Sequence, residues 1–209
     1  MNTLRSCLFS AVLAAAALTL RAADPAEAPR VLLPQAVDEV LALVNAPDPA
    51  AGDQTLARRT RPLFEKYFAG ELMTRRAVGP GWKDFTPEQQ HRAVALFTEL
   101  VIRTYTNQFT PGMRPKIAYG VPAELAPNRQ EVPTTITRDQ STFAVTYRFE
   151  HIGSGWRIYD VVIEGVSLVA NYRTQFASLF LKGGPGEILR VLETRLAEPV
   201  APSSHENAH

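Results

Sequence analysis

The chain has 209 residues, 45% of them hydrophobic and 21% charged, and a formal net charge of +1. That is enough for one globular domain with a real core, and it excludes a disordered chain. The balanced charge, with no arginine-rich segment interleaved with aromatics, argues against nucleic acid as a partner.

Residues 1–23 read as a secretory signal peptide. Arg5 gives a positive start, Leu8 to Leu20 are apolar apart from Ser10 and Thr19, and the small residues Ala22 and Ala23 follow. This run is too short to cross a bilayer, which takes about 20 residues. Cys7, the single cysteine, precedes the run and leaves with it. The mature chain then has no disulfide, no cysteine-ligated metal and no cysteine nucleophile. Residues 24–33, rich in alanine and proline, read as a disordered lead-in.

A globular domain is expected over 34–197. Val37, Val40, Leu41 and Val44 repeat at helical spacing and predict a short amphipathic helix ending before Pro47. After a linker, Leu56 to Ala77 predicts a second helical region with an aromatic face, interrupted near Gly70. Thr86-Pro87-Glu88-Gln89 combines an N-cap, a first-turn proline and a capping-box glutamine. It opens a long apolar helix that should run to about Phe109. The pattern then changes to alternation. Strands are expected over Lys116 to Val121, Glu131 to Arg138 and Thr142 to His151, with Pro133 placing its strand near an edge or a bulge.

Trp156 to Ile163 predicts a fourth strand, antiparallel to the third across a short connection. Gly165 breaks it, and Ser167 stands as the N-cap of a helix carrying Leu168, Tyr172, Phe176 and Leu179. Gly183-Gly184 separates this helix from a last one, Pro185 to about Leu196. The tail, residues 198–209, is polar and expected to be disordered.

Candidates for catalysis are few. The four histidines, His91, His151, His205 and His209, show no ligand spacing, no GxSxG elbow surrounds a serine, and no metal site or cofactor is indicated. Asp160, a carboxylate in an apolar strand, is the one residue that invites a general-base reading. Structural pairing among Asp160, Glu164 and Arg173 is the simpler account, since no second acid, base or oxyanion donor accompanies it.

One stretch carries a family resemblance. Trp156-x-Ile158-Tyr159-Asp160-Val161, Glu164-Gly165-Val166-Ser167-Leu168, Asn171-Tyr172-Arg173 and Phe176 resemble the MlaC, or toluene-tolerance, family of periplasmic phospholipid-binding proteins. Gly79, Trp82, Thr86-Pro87, Gln89, Phe97, Leu100 and Tyr105 resemble its helical half, so the likeness covers roughly residues 34 to 197. Phe68-Ala69-Gly70 departs from it, because the family has an aspartate after the phenylalanine.

The resemblance implies an α+β fold: an NTF2-like cone of twisted antiparallel sheet wrapped by helices, with a helical N-terminal half. It also implies a periplasmic, monomeric carrier that takes phospholipid as cargo and maintains outer-membrane lipid asymmetry. Its partners would be an inner-membrane ABC-transporter complex and an outer-membrane lipoprotein complex. Lipid-lining candidates are Trp82, Phe97, Leu100, Val101 and Tyr105 on the helices. Val145, Tyr147, Tyr159, Val161 and Ile163 are those on the sheet, with Val166, Val169 and Tyr172 at the corner. Alternatives are a hopanoid or sterol-like cargo, an enzyme of the same cone-shaped fold using Asp160 as base, and an interaction module whose apolar residues are only core.

Overall fold

The computed structural model describes residues 28–47, 53–138 and 140–198. The signal segment, the start of the lead-in, the middle of the first linker and the tail from residue 199 lie outside the described residues. The helical half comes first: α1 (Ala28–Asn45), α2 (Asp53–Tyr67), α3 (Gly70–Val78), a 3₁₀ turn at Gly79–Asp84 and α4 (Pro87–Thr106). The strands β1 (Lys116–Tyr119), β2 (Ala123–Ala126), β3 (Arg129–Arg138), β4 (Ser141–Ile152), β5 (Gly155–Ile163) and β6 (Val166–Ser167) follow, and α5 (Leu168–Ala197) returns against α3 and α4. Every strand pair is antiparallel, in the order β1-β3-β4-β5-β6, with β2 also paired to β3. This is the α+β architecture expected from the sequence.

α1 begins earlier than its apolar repeat suggests. The chain is helical from Ala28, within the stretch expected to be a disordered lead-in; Pro34 lies inside the helix, and Leu33 is 1% exposed. An interior proline costs roughly 3 kcal/mol. Burying leucine side chains is worth about 1.5–3 kcal/mol each, so docking Leu33 and Leu32 on the sheet offsets the lost hydrogen bond. Local chemistry predicts a boundary at Pro34, and tertiary burial overrides it.

The break between α2 and α3 has a similar origin. Phe68 leaves the helix to bridge Ile158, and the Ala69 N–H donates to the Ile158 carbonyl at 2.8 Å. Gly70 restarts the helix where a Cβ would come within 2.9 Å of Thr98 Oγ1, so any larger residue would have to displace that hydroxyl. The capping box at α4 forms as read, with the Thr86 N–H donating to Gln89 Oε1 at 2.9 Å and the Gln89 N–H to Thr86 Oγ1 at 3.3 Å.

Pro133 lies in β3, an interior strand. β1 ends opposite Thr134 and β2 begins opposite Glu131, so the proline falls at the seam between two short edge strands, where no ladder partner requires its missing N–H. β2 itself, only four residues long and largely exposed, is not legible as a strand in the sequence. Glu164 and Gly165, both at positive φ, make the two-residue hairpin turn from β5 to β6. α5 contains two helical segments, joined at Gly183-Gly184 where the backbone leaves helical geometry.

Two apolar clusters result. One gathers α3, α4 and α5 with Tyr159, around Phe97 and Phe176. The other lies between α1 and the sheet, around Leu33, Val132, Phe149 and Ile158. Leu33→Ala should therefore destabilise the protein by about 2–5 kcal/mol in chemical denaturation. A change within about 0.5 kcal/mol, as expected of a surface or disordered position, would show that residues 28–33 do not dock.

Candidate functional site

Strand register sorts the side chains of the sheet into lateral rows. Ile117, Ile136 and Phe143 form one row, and Tyr119, Thr134, Val145 and Ile163 the next. Val132, Tyr147 and Val161 follow, then Gln130, Phe149 and Ile158. Alternation puts all of them on one face of the sheet. None is charged. Thr134 satisfies its hydroxyl locally by donating to the Val145 carbonyl at 2.7 Å.

The face is not filled evenly. Near the N-terminal half of α1 it is sealed, with Val132, Phe149 and Ile158 at 0–1% exposure against Leu33. Toward the other end Ile117, Ile136, Phe143, Tyr147, Val161 and Ile163 are only half-buried. Tyr147 shows what kind of exposure this is. Burial pushes its hydroxyl up to about 12, yet the side chain keeps accessible surface.

The sequence-derived candidates divide between this face and the helical cluster. Val145, Tyr147, Val161 and Ile163 lie on the face. Tyr159, which simple alternation places with them, does not. A β-bulge opposite Arg148 and Phe149 inserts one extra residue in β5, and Tyr159 turns into the helical cluster, with the Arg76 guanidinium 4.1 Å from its ring centroid. Phe97, Leu100, Val101, Val169 and Tyr172 are buried in that same cluster, where Phe97 meets Tyr172 edge to face at 4.8 Å.

Tyr105 packs against the cluster, and burial pushes its hydroxyl up to about 12. Trp82 lies at the margin. It lines a separate open groove of about 460 Å³ between α2, α3 and α4, together with Phe64, Phe68, Val94 and Thr98. Val166, at the hairpin turn, is 61% exposed. Ile117, Ile136 and Phe143 complete the apolar face, and the choice of candidates from sequence misses them. Their signal is the alternation of their own strands.

Asp160 is 3% exposed and held by three donors. Arg148 Nη1 approaches Asp160 Oδ2 at 3.3 Å, Ser167 Oγ donates to the same oxygen at 2.7 Å, and the Val169 N–H donates to Oδ1 at 3.1 Å. Ser167 Oγ in turn accepts from the Ala170 N–H at 3.0 Å, so it is the N-cap of α5 and a link to the carboxylate at once. The cation is Arg148, across the β4–β5 pair, and not Arg173, which the sequence suggests. Tyr172 and Phe176 face the core, which leaves Arg173 on the exposed side of α5 beside Gly79. Glu164 accepts from the Ala144 N–H.

These contacts describe a structural carboxylate with its oxygens engaged. Among the described residues no group of three His, Cys, Asp or Glu side chains could hold a metal ion. Asp160→Asn removes the charge that these donors meet. It should cost about 1–3 kcal/mol, while Arg173→Ala should change stability by no more than about 0.5 kcal/mol; urea denaturation of both variants checks the pair. Equal effects would contradict the assignment of Arg148 as the partner.

Known proteins are similar to this chain in both fold and sequence. The phospholipid-binding protein of Ralstonia solanacearum, solved in complex with a phospholipid, is 29% identical, with a TM-score of 0.75 over 81% of this chain and 97% of that one. Among curated proteins nothing matches. The family model described as MlaC protein matches residues 34–194, a span that holds α2 to α4, the whole sheet and most of α5, and the chain belongs to the MlaC family.

Proposed function

We propose that this protein is a periplasmic carrier that binds phospholipid between the apolar face of its sheet and α1. The observation that carries the reading is the uncharged face, sealed at one end and accessible at the other, in a chain of the MlaC family. The Ralstonia solanacearum protein of similar fold was solved with a phospholipid bound, which supports the same cargo here. Val145, Tyr147, Val161 and Ile163 are the lining residues we favour. Phe97, Leu100, Val101, Val169 and Tyr172 then act as the closed core behind them.

No covalent chemistry is needed. Burying a methylene is worth roughly 0.8 kcal/mol, so two acyl chains with about thirty of them represent on the order of 24 kcal/mol on exposure to water. A carrier must replace the bilayer almost completely, and its transfer steps are then nearly balanced. Direction comes from docking partners that hold one state better than the other. In this reading those are an inner-membrane ABC-transporter complex and an outer-membrane lipoprotein complex, and the shuttling maintains outer-membrane asymmetry. Among the described residues no helix is long and apolar enough to cross a membrane.

Solvent extraction of the purified protein followed by mass spectrometry should yield diacyl phospholipid. Hopanoid alone would assign a different cargo, and an empty protein would remove the proposal. N-terminal sequencing of the exported protein should begin near Ala23 or Asp24, and retention of Met1 to Arg21 would contradict the signal reading. Competition on delipidated protein should show tolerance of the head group. The face offers no charged residue to clamp a phosphate, whereas shortening each tail by a few methylenes costs several kcal/mol at about 0.8 each. Strong discrimination between matched phosphatidylethanolamine and phosphatidylglycerol would place the site elsewhere.

A further inference from the structure

Among the described residues the apolar face carries two tyrosine hydroxyls without a hydrogen-bond partner, Tyr119 at its margin and Tyr147 further in. Tyr147 sits between Val132 and Val161 in the register, and among the described residues its hydroxyl has no hydrogen-bond partner. Buried tyrosines ordinarily find one, because an unpaired polar group in an apolar setting is costly. Gln130 Oε1 and Trp156 Nε1, at the sealed end of the same face, are also unpartnered, but no space remains beside them. The Tyr147 hydroxyl differs from them: it is not sealed, so an atom of a ligand can reach it.

The surroundings define the kind of atom. Tyr119, one row toward the sheet edge, lies close enough to raise the Tyr147 hydroxyl further, and Asp38 on α1 does the same to Tyr119. Tyr119 is 37% exposed. The three groups form a polar string from the α1–β1 margin to the interior, along a face whose other polar members are Thr134 and Gln130. Its only charge is negative, which disfavours an anion, and its inner end is a neutral donor. The matching ligand group is a neutral acceptor attached to long hydrocarbon.

We propose that Tyr147 donates a hydrogen bond to an ester carbonyl of the bound lipid, which fixes the depth at which the acyl chains enter and selects ester-linked over ether-linked lipid. The inference rests on the phospholipid reading and adds to it a recognition point inside the apolar face. The phosphate lies outside this point, away from the carboxylate of Asp38.

The test pairs a change in the lipid with a change in the protein, so each controls the other. Delipidated protein is offered diacyl phosphatidylglycerol and the dialkyl ether analogue with the same chain lengths, in competition. A hydrogen bond of ordinary strength predicts that the wild type prefers the ester by about fivefold to tenfold. Tyr147→Phe should lose that preference while keeping its melting temperature and its affinity for the ether. Tyr119→Phe should retain it, since water already satisfies that exposed hydroxyl. Equal binding of the two lipids by the wild type overturns the proposal without any variant, and so does a preference that survives Tyr147→Phe. Binding of neither lipid overturns the phospholipid reading itself, and the proposal with it.

Discussion

The extra residue in β5 is the constraint on which the molecule turns. Before and after it, Ile158, Val161 and Ile163 point to the face beneath α1, while Tyr159 and Asp160 point to the helices. One strand thereby serves two cores. Without the bulge, strict alternation from Val161 and Ile163 would send Tyr159 to the hydrocarbon face and Ile158 to the polar one beside Asp160, and the core under α1 would lose Ile158. The Asp160 carboxylate meets Arg148, Ser167 and the first turn of α5 on that polar face, where an unpaired buried carboxylate would be costly.

Charge is segregated in the same way across the rest of the sheet. Arg148 reaches Glu131 as well as Asp160, both at 3.3 Å, and Glu150 is met by Arg76 at 2.6 Å and Arg129 at 2.8 Å. These groups lie opposite the apolar rows. The pairs of Glu131 and Glu150 are partly exposed, so each of these is worth little by itself. Their larger effect is on placement: with these ionisable side chains on the polar face, the apolar rows carry no charge.

Elements built on contacts among near neighbours are legible in the sequence. The α4 capping box, the β4–β5 pairing and the break at Gly183-Gly184 are of this kind, and their residue types suffice to place them. The early start of α1 is not, because Pro34 is carried through a helix only while Leu33 is buried against residues far along the chain. Pro133 depends on where two other strands end, and Tyr159 on an extra residue in a ladder. None of these leaves a local signal. The candidate site is legible as apolar residues in alternation, but alternation cannot tell a closed core from a face with space before it. Phe97 and Tyr147 look alike in sequence, and only the structure shows the one buried and the other half-buried.

On the carrier reading, the cover of the site is built unevenly in a way that suits its task. The N-terminal half of α1 is fixed by Leu33 against the sheet, whereas its C-terminal half buries Val44 and adds polar contacts at the surface. Lys66 meets Glu39 at 2.7 Å, the Asn45 amide donates to the Met113 carbonyl at 3.1 Å, and the Gly112 N–H donates to Asn45 Oδ1 at 2.7 Å. All three are exposed, screened by solvent, and readily exchanged for water. Opening that end gives up the burial of Val44 but little of the sheet, since the rows beneath it are those left half-buried. On the carrier reading the empty and filled states then differ by that local cost and by what the cargo itself contributes, a balance that suits a protein that must both hold a lipid and give it up.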